Sequence, residues 1–357
     1  MKINTANVTY SSIVKIGEEI SKLEKETGEK YLKLHRGVMD VTAIDIDSLN
    51  IKLGLNDKKT QQYSGNDGHP ELIETIKKEF LPSGFEVIVT PGGMAALDLA
   101  INSLADQTIW IPKYHWGSWN KILKTHEKDM QFFDDFNLDS FRPEFGAVML
   151  CCPSNPTGYC PDKNAIVDFL KWSNDNGITV ILDLPYYYLF NEFGEIEEYF
   201  SENVIVVSSF SKSIGLSGYR VGYIATKSDE LYQTLKIRSL YKYNSISTLP
   251  QIVVNELIKE KKSIEEYKAV TKAHISKNIE FLKENNLLFS EYAAVPIGPF
   301  AIVCIDYKKL LDHRISSVPL SKFTLIKNND CERFSRISVA VDHNLFKEYF
   351  DRMLASL

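Results

Sequence analysis

The stretch Asn203–Ile224, NVIVVSSFSKSIGLSGYRVGYI, decides how the rest of the chain is read. It opens with a β-branched run suited to a buried strand, then sets Lys212 and Arg220 among serines, glycines and Tyr219 before a second apolar run begins. In an open parallel sheet, ligands gather beyond the carboxyl ends of the strands. A lysine at such a place is ordinarily just solvated, but its pKa shifts readily on burial, which makes lysine the usual partner of carbonyl compounds.

Working outward, the short runs EVIVT (86–90), TIWIP (108–112), AVMLCC (147–152), ITVILDL (178–184) and VGYIAT (221–226) repeat the strand signal. They alternate with helical patterns at 94–104, 119–126, 164–176 and 229–241. This alternation predicts an α/β fold, a mostly parallel sheet covered by helices. Amphipathic helices are also expected over 11–26 and 71–80. Beyond about residue 255 the pattern changes to a long charged helix over 263–286, two short strands (FAIVCIDY and RISVAV) and a closing helix, which reads as a smaller α+β domain.

The other strand ends carry further candidates. EVIVTPGGMAALDLA joins a strand to a helix through Gly92 and Gly93, and a helix start with close backbone approach suits a phosphate. A plain tight turn needs the same glycines. In CCPSNPTGYCP, Asn155 beside Pro156 and Gly158 also reads as ordinary loop punctuation. Asp183 closes an apolar run, where an ionised carboxylate needs either a cation or water.

Composition narrows the function. With 357 residues, 44% of them hydrophobic, the chain can bury a large core. A net charge of -6 without a basic run argues against a nucleic-acid partner. No stretch is apolar enough for a membrane span, and the polar start MKINTANVTY lacks a signal-peptide core, so a cytoplasmic location is expected. The five cysteines form no paired CxxC motifs, so they are read as reduced, with no metal site indicated.

The ordered set GGMAALDLA, NPTG, D-x-x-Y and S-x-S-K-x-x-G-x-x-G-x-R-x-G, followed by Arg336 in RISVA, resembles the class I/II aminotransferases of pyridoxal-5′-phosphate (PLP) fold type I. The resemblance covers about Gly37 to Arg336 and implies PLP as cofactor, with amino acids and 2-oxo acids as substrates. It also implies a large domain over 40–250, with a small domain built from both chain ends, 1–39 and 251–357. On it, Lys212 matches the Schiff-base lysine that also moves the substrate proton, and Asp183 the carboxylate that pairs with the cofactor's ring nitrogen. Asn155 and Tyr186 match the pair on its phenolic oxygen.

Gly93, Met94, Ser209 and Arg220 match the phosphate cup, and Trp116 the stacking aromatic, although Tyr114 takes that place on a shifted alignment. Arg336 matches the clamp on the substrate α-carboxylate, with Asn155 and the loop glycine Gly37 beside it. Tyr63 resembles the tyrosine that reaches the neighbouring subunit's phosphate, which implies a homodimer with shared sites.

The chain departs from the family pattern at Leu184-Pro185, where a glutamate and an alanine are usual, and at Arg36-Gly37-Val38-Met39-Asp40, where G-x-P-D is usual. It is also somewhat shorter than is common. These departures leave a second outcome open on the same frame: a PLP-dependent lyase or cyclase acting by elimination, replacement or capreomycidine synthase-like cyclisation. A non-catalytic sensor of the aminotransferase-like kind is disfavoured, because no basic recognition helix precedes the first motif. Arg238, Lys242 and Arg36 are candidates for contacting the substrate side chain. The first two would act across the dimer, but basic residues at a helix end are more ordinarily explained by compensation of the helix dipole.

Overall fold

In the computed structural model, which describes residues 9–44, 46, 58–190, 196–326 and 329–356, the apolar runs become strands in the expected order, with further short or edge strands between them. These are β1 (Leu32–Lys33), β2 (Glu86–Thr90), β3 (Thr108–Pro112), β4 (Asp129–Phe133), β5 (Ala147–Cys151), β6 (Thr179–Asp183), β7 (Val204–Ser209) and β8 (Gly222–Thr226). Then follow β9 (Phe300–Val303), β10 (Ile315–Ser316), β11 (Val318–Pro319) and β12 (Ser335–Ser338).

Seven of them form one sheet in the order β2-β8-β7-β6-β5-β3-β4. β8 runs antiparallel to both β7 and β2, while the pairs from β7 to β4 are parallel. Successive residues of each strand feed opposite faces. Ile181, Ile205 and Val207 join one apolar cluster, with Trp119 and the helix Gly93–Ser103; Val180, Leu182, Val204 and Val206 join the other, with the helix Lys163–Asp175. β4 was not among the runs read from the sequence. It is an edge strand whose first four residues alternate between exposed and partly covered before the buried Phe133, and it contains no β-branched residue.

β9, β11 and β12 form a separate three-stranded antiparallel sheet, while β1 pairs in parallel with β10, so residues near the start of the chain hydrogen-bond to residues beyond 300. The first helix, Ser12–Thr27, leads into β1 through Gly28, whose left-handed φ of 72° closes the helix as only a glycine does cheaply. The long helix Lys261–Glu284 lies against the last one, His343–Leu354, with the Phe281 ring edge-on to Phe346 and Phe350. Asn278 on the long helix donates to the Val339 and Val341 carbonyls at 2.9 and 3.0 Å, tying that helix to the chain just beyond β12.

Candidate active site

A cavity of about 410 Å³ opens at the carboxyl ends of β5, β6 and β7. Asp183 lies at its base. It shares the parity of Ile181 on β6 and therefore faces the helix Gly117–Thr125, from which the Trp119 indole N–H donates to Oδ2 at 3.0 Å. Burial pushes the Asp183 carboxyl up to about 7. Among the described residues no cation pairs with it, so a cationic ligand group would stabilise it strongly.

Lys212 sits on the one-turn helix Phe210–Ser213, which follows β7 directly. Burial first, then the charges of Arg220 and Arg336, push its ammonium down to about 8. Near neutral pH a sizeable fraction of the amine is therefore uncharged and nucleophilic.

A tight cup lies beside it. Gly92 has φ 91° and starts the helix Gly93–Ser103, and a Cβ there would lie 2.5 Å from the Arg220 guanidinium. Arg220, itself left-handed at φ 56°, donates through Nη1 to the Ser217 carbonyl at 2.9 Å. The Ser209 hydroxyl accepts from the Ser211 N–H at 3.1 Å, and a Cβ on Gly93 would meet the Ser209 Cβ at 3.2 Å. Helix-start N–H groups, a hydroxyl and a guanidinium facing one space make an anion site. Met94 lines the same cavity.

Asn155 is carried by a loop that folds back on itself: the Gly158 N–H donates to the Ser154 carbonyl, and the Gly158 carbonyl accepts from Gly298, both at 2.8 Å. Gly158 has φ 64°, and an added Cβ would lie 1.9 Å from the Phe300 carbonyl oxygen. Gly158→Ala is therefore expected to cost about 3 kcal/mol or more, or else to push the Asn155 loop off β9. Urea denaturation together with a cofactor titration checks this; wild-type values in both would contradict it. The Asn155 amide hydrogen-bonds the Tyr186 hydroxyl, whose pKa burial raises well above its usual value.

Arg336 on β12 is wholly buried. Nη2 donates to the His35 carbonyl at 3.1 Å and Nη1 to the Arg36 carbonyl at 3.3 Å, while the rings of Phe300 and Phe323 flank the guanidinium at 4.6 and 5.0 Å. Its Nε has no hydrogen-bond partner among the described residues. Burial pushes Arg336 down to about 10, so it stays charged, and an incoming carboxylate would complete its planar fork. His35 is held neutral: burial, then the neighbouring Arg36 and Arg336, push it down to about 4.

Gly37 and Trp116 also line this cavity, so eleven of the twelve residues anticipated for the site come together. The exception is Tyr63, which is 81% exposed and lines a different depression with Gln61 and Ser245. Tyr114 does not take the stacking place. It packs edge-on against Phe289 in a separate apolar cluster. Of the side-chain candidates, Arg36 lines a separate groove with Lys22 and Lys25, while Arg238, exposed, and Lys242, ion-paired to Asp98, stand outside the cavity of their own chain, as Tyr63 does. Sequence reasoning missed Trp119, and it also missed Ser11, Ile13 and Val14, which bring the start of the first helix to the cavity. An amphipathic helix signal existed for the latter, but no motif marked which end meets the site.

One cavity thus brings together a buried amine, an anion cup, and a carboxylate and a guanidinium with no ionic partner among the described residues. Residues 30–353 match the family described as aminotransferase class I and II, and the chain belongs to it. Among its relatives is a probable aspartate aminotransferase of Methanocaldococcus jannaschii, 29% identical over 52% of this chain and 54% of that protein. Another is a histidinol-phosphate aminotransferase of Methanococcus aeolicus, 24% identical over 73% of this chain and 68% of that protein. These matches thus span between about half and two thirds of the relatives' lengths. The aspartate aminotransferase of Thermus thermophilus with maleate shares the fold at a TM-score of 0.85 and 19% identity, with both chains fully covered. An aminotransferase from Mycobacterium tuberculosis does so at 0.85 and 17%, covering 100% of this chain and 99% of the other.

Proposed function

We propose that this chain is a PLP-dependent aminotransferase that moves an amino group from an L-amino acid to a 2-oxo acid, with Lys212 as the residue bonded to the cofactor. The observation that carries the reading is the meeting of Lys212, Asp183 and Arg336 in one cavity, each without the ionic partner its burial calls for among the described residues. Asp183 and the cup at Gly92 fit PLP, which joins a protonatable ring nitrogen to a phosphate.

When bound, PLP supplies a ring that accepts electrons from the substrate Cα and so makes the Cα–H acidic. Asp183 supports this by holding negative charge against the ring nitrogen. Gly93 and Met94 through their N–H groups, Ser209 through its hydroxyl and Arg220 through its guanidinium hold the phosphate. Trp116 covers the ring, and Asn155 with Tyr186 hold the phenolic oxygen. Arg336 fixes the substrate α-carboxylate beside Gly37, which orients the Cα–H towards Lys212. Lys212 Nζ, whose hold on its own proton is weakened by burial, then takes that proton and returns it.

The test is stoichiometric. Given an accepted amino acid and no 2-oxo acid, the enzyme should release one oxo acid per site and stop, then resume when an oxo acid is added. Continued turnover without an acceptor would instead favour elimination or cyclisation. Borohydride should fix the cofactor on the peptide that contains Lys212.

We propose further that the sites are shared in a homodimer, on the strength of Tyr63 standing exposed and outside its own cavity. Mixing inactive Tyr63→Ala and Lys212→Ala chains should restore part of the activity, because one site of the hybrid is free of both changes. A monomer at assay concentration would contradict this.

A further inference from the structure

Trp119 is 1% exposed, among the largest side chains buried in the chain, and its single polar atom is spent on Asp183. The first turn of the helix Gly117–Thr125 fixes it: the Trp119 N–H donates to the Trp116 carbonyl at 2.9 Å. Two indoles three residues apart are thereby set with different tasks. Trp116 lines the cavity, while Trp119 passes behind it to the carboxylate.

The other groups that face Asp183 do not hold it. Cys151 lies opposite it in the β5–β6 register, but its thiol donates to the Pro153 carbonyl at 3.2 Å. On β7 the residue in register is Val207, which has no polar side-chain atom. Tyr186, from the turn after β6, is engaged by Asn155.

We infer that Trp119 is a positioning residue for Asp183: its indole N–H holds Oδ2, so that the other carboxylate oxygen is left to face the cofactor's ring nitrogen. The inference rests on the reading that Asp183 meets that nitrogen. An indole N–H only donates and does not titrate in the working range of an enzyme. The carboxylate therefore has the same support at every pH, and its unprotonated form is favoured by a hydrogen bond to a charged acceptor.

Two measurements test this. The four tryptophans of the full-length chain give four indole N–H signals in nitrogen-15 spectra, and Trp119→Phe identifies one of them. In the cofactor-free chain that signal should move with a midpoint near the Asp183 titration, at about 7, and should stand still in Asp183→Asn. Cofactor affinity, read by equilibrium dialysis, should fall about tenfold or more in Trp119→Phe. It should be partly recovered in Trp119→His, which keeps a ring N–H, and fall at least as far in Asp183→Asn.

If none of the four indole signals titrates, or if every one that does still titrates in Asp183→Asn, the inference is overturned even where Trp119→Phe fails to fold. Loss of affinity in Asp183→Asn alone, with Trp119→Phe unaffected, also overturns it while leaving the role of Asp183 intact. Unchanged affinity in both variants defeats the role of Asp183, and the inference with it.

Discussion

Lys212→Ala is expected to lower turnover by on the order of 10⁴-fold or more, because on the proposed function one side chain both bonds the cofactor and moves the proton at the substrate Cα. The amine owes its reactivity to burial beside Arg220 and Arg336, which pushes it down to about 8. An alanine leaves the cup, the ring-nitrogen partner and the carboxylate clamp in place, so the cofactor should still bind, without a covalent link. Initial rates at saturating cofactor, with a small primary amine added as a rescue, check this. A variant within tenfold of the wild type would mean that another base does the work.

Asp183→Asn should act in opposite directions with and without cofactor. In the cofactor-free chain, burial raises the carboxyl from 3.8 to about 7, so folding favours the neutral form. The corresponding stability is present below about pH 4 and is lost as the pH rises to about 7. Asparagine removes that loss. At pH 8 the cofactor-free variant should be more stable than the wild type by up to about 4 kcal/mol, and at pH 4 the two should agree.

With cofactor the proposed function predicts a loss instead, and turnover should fall by on the order of 10²-fold or more as the ring loses its counter-charge. Trp119 can donate only to the amide oxygen, so the amide N–H₂ would face the ring nitrogen and oppose its protonation. Urea midpoints at both pH values, with and without cofactor, read the first effect. Equal midpoints at pH 8 in the cofactor-free state would show that burial does not load this carboxyl.

What the sequence revealed and what it hid differ in kind. Asp183, Ser209 and Lys212 were legible because each ends or follows an apolar strand, and a strand end fixes position locally. Arg336 was legible through its motif, but its support was not: the His35 and Arg36 carbonyls come from three hundred residues away, through a parallel pairing of two-residue strands too short to leave a periodic signal. Trp119 was hidden for a related reason. Its partner lies 64 residues on, and an apolar helix face explains a tryptophan without any partner. β4 was missed because half-exposed edge residues with no β-branching read as loop.

Because β8 runs back alongside β7, Ser209, Lys212 and Arg220 reach one end of the sheet within a single short excursion of the chain, whereas Arg336 arrives from another sheet. On the proposed reading, part of the grip on the cofactor thus lies in one contiguous cassette, completed by Gly93, Asn155 and Asp183 from earlier strand ends. Substrate contact is assembled from parts scattered along the sequence. Insertions and substitutions between residues 227 and 335 can re-aim the clamp while the cassette passes unchanged, so descendants of this chain could exchange one amino acid for another without reinventing the chemistry.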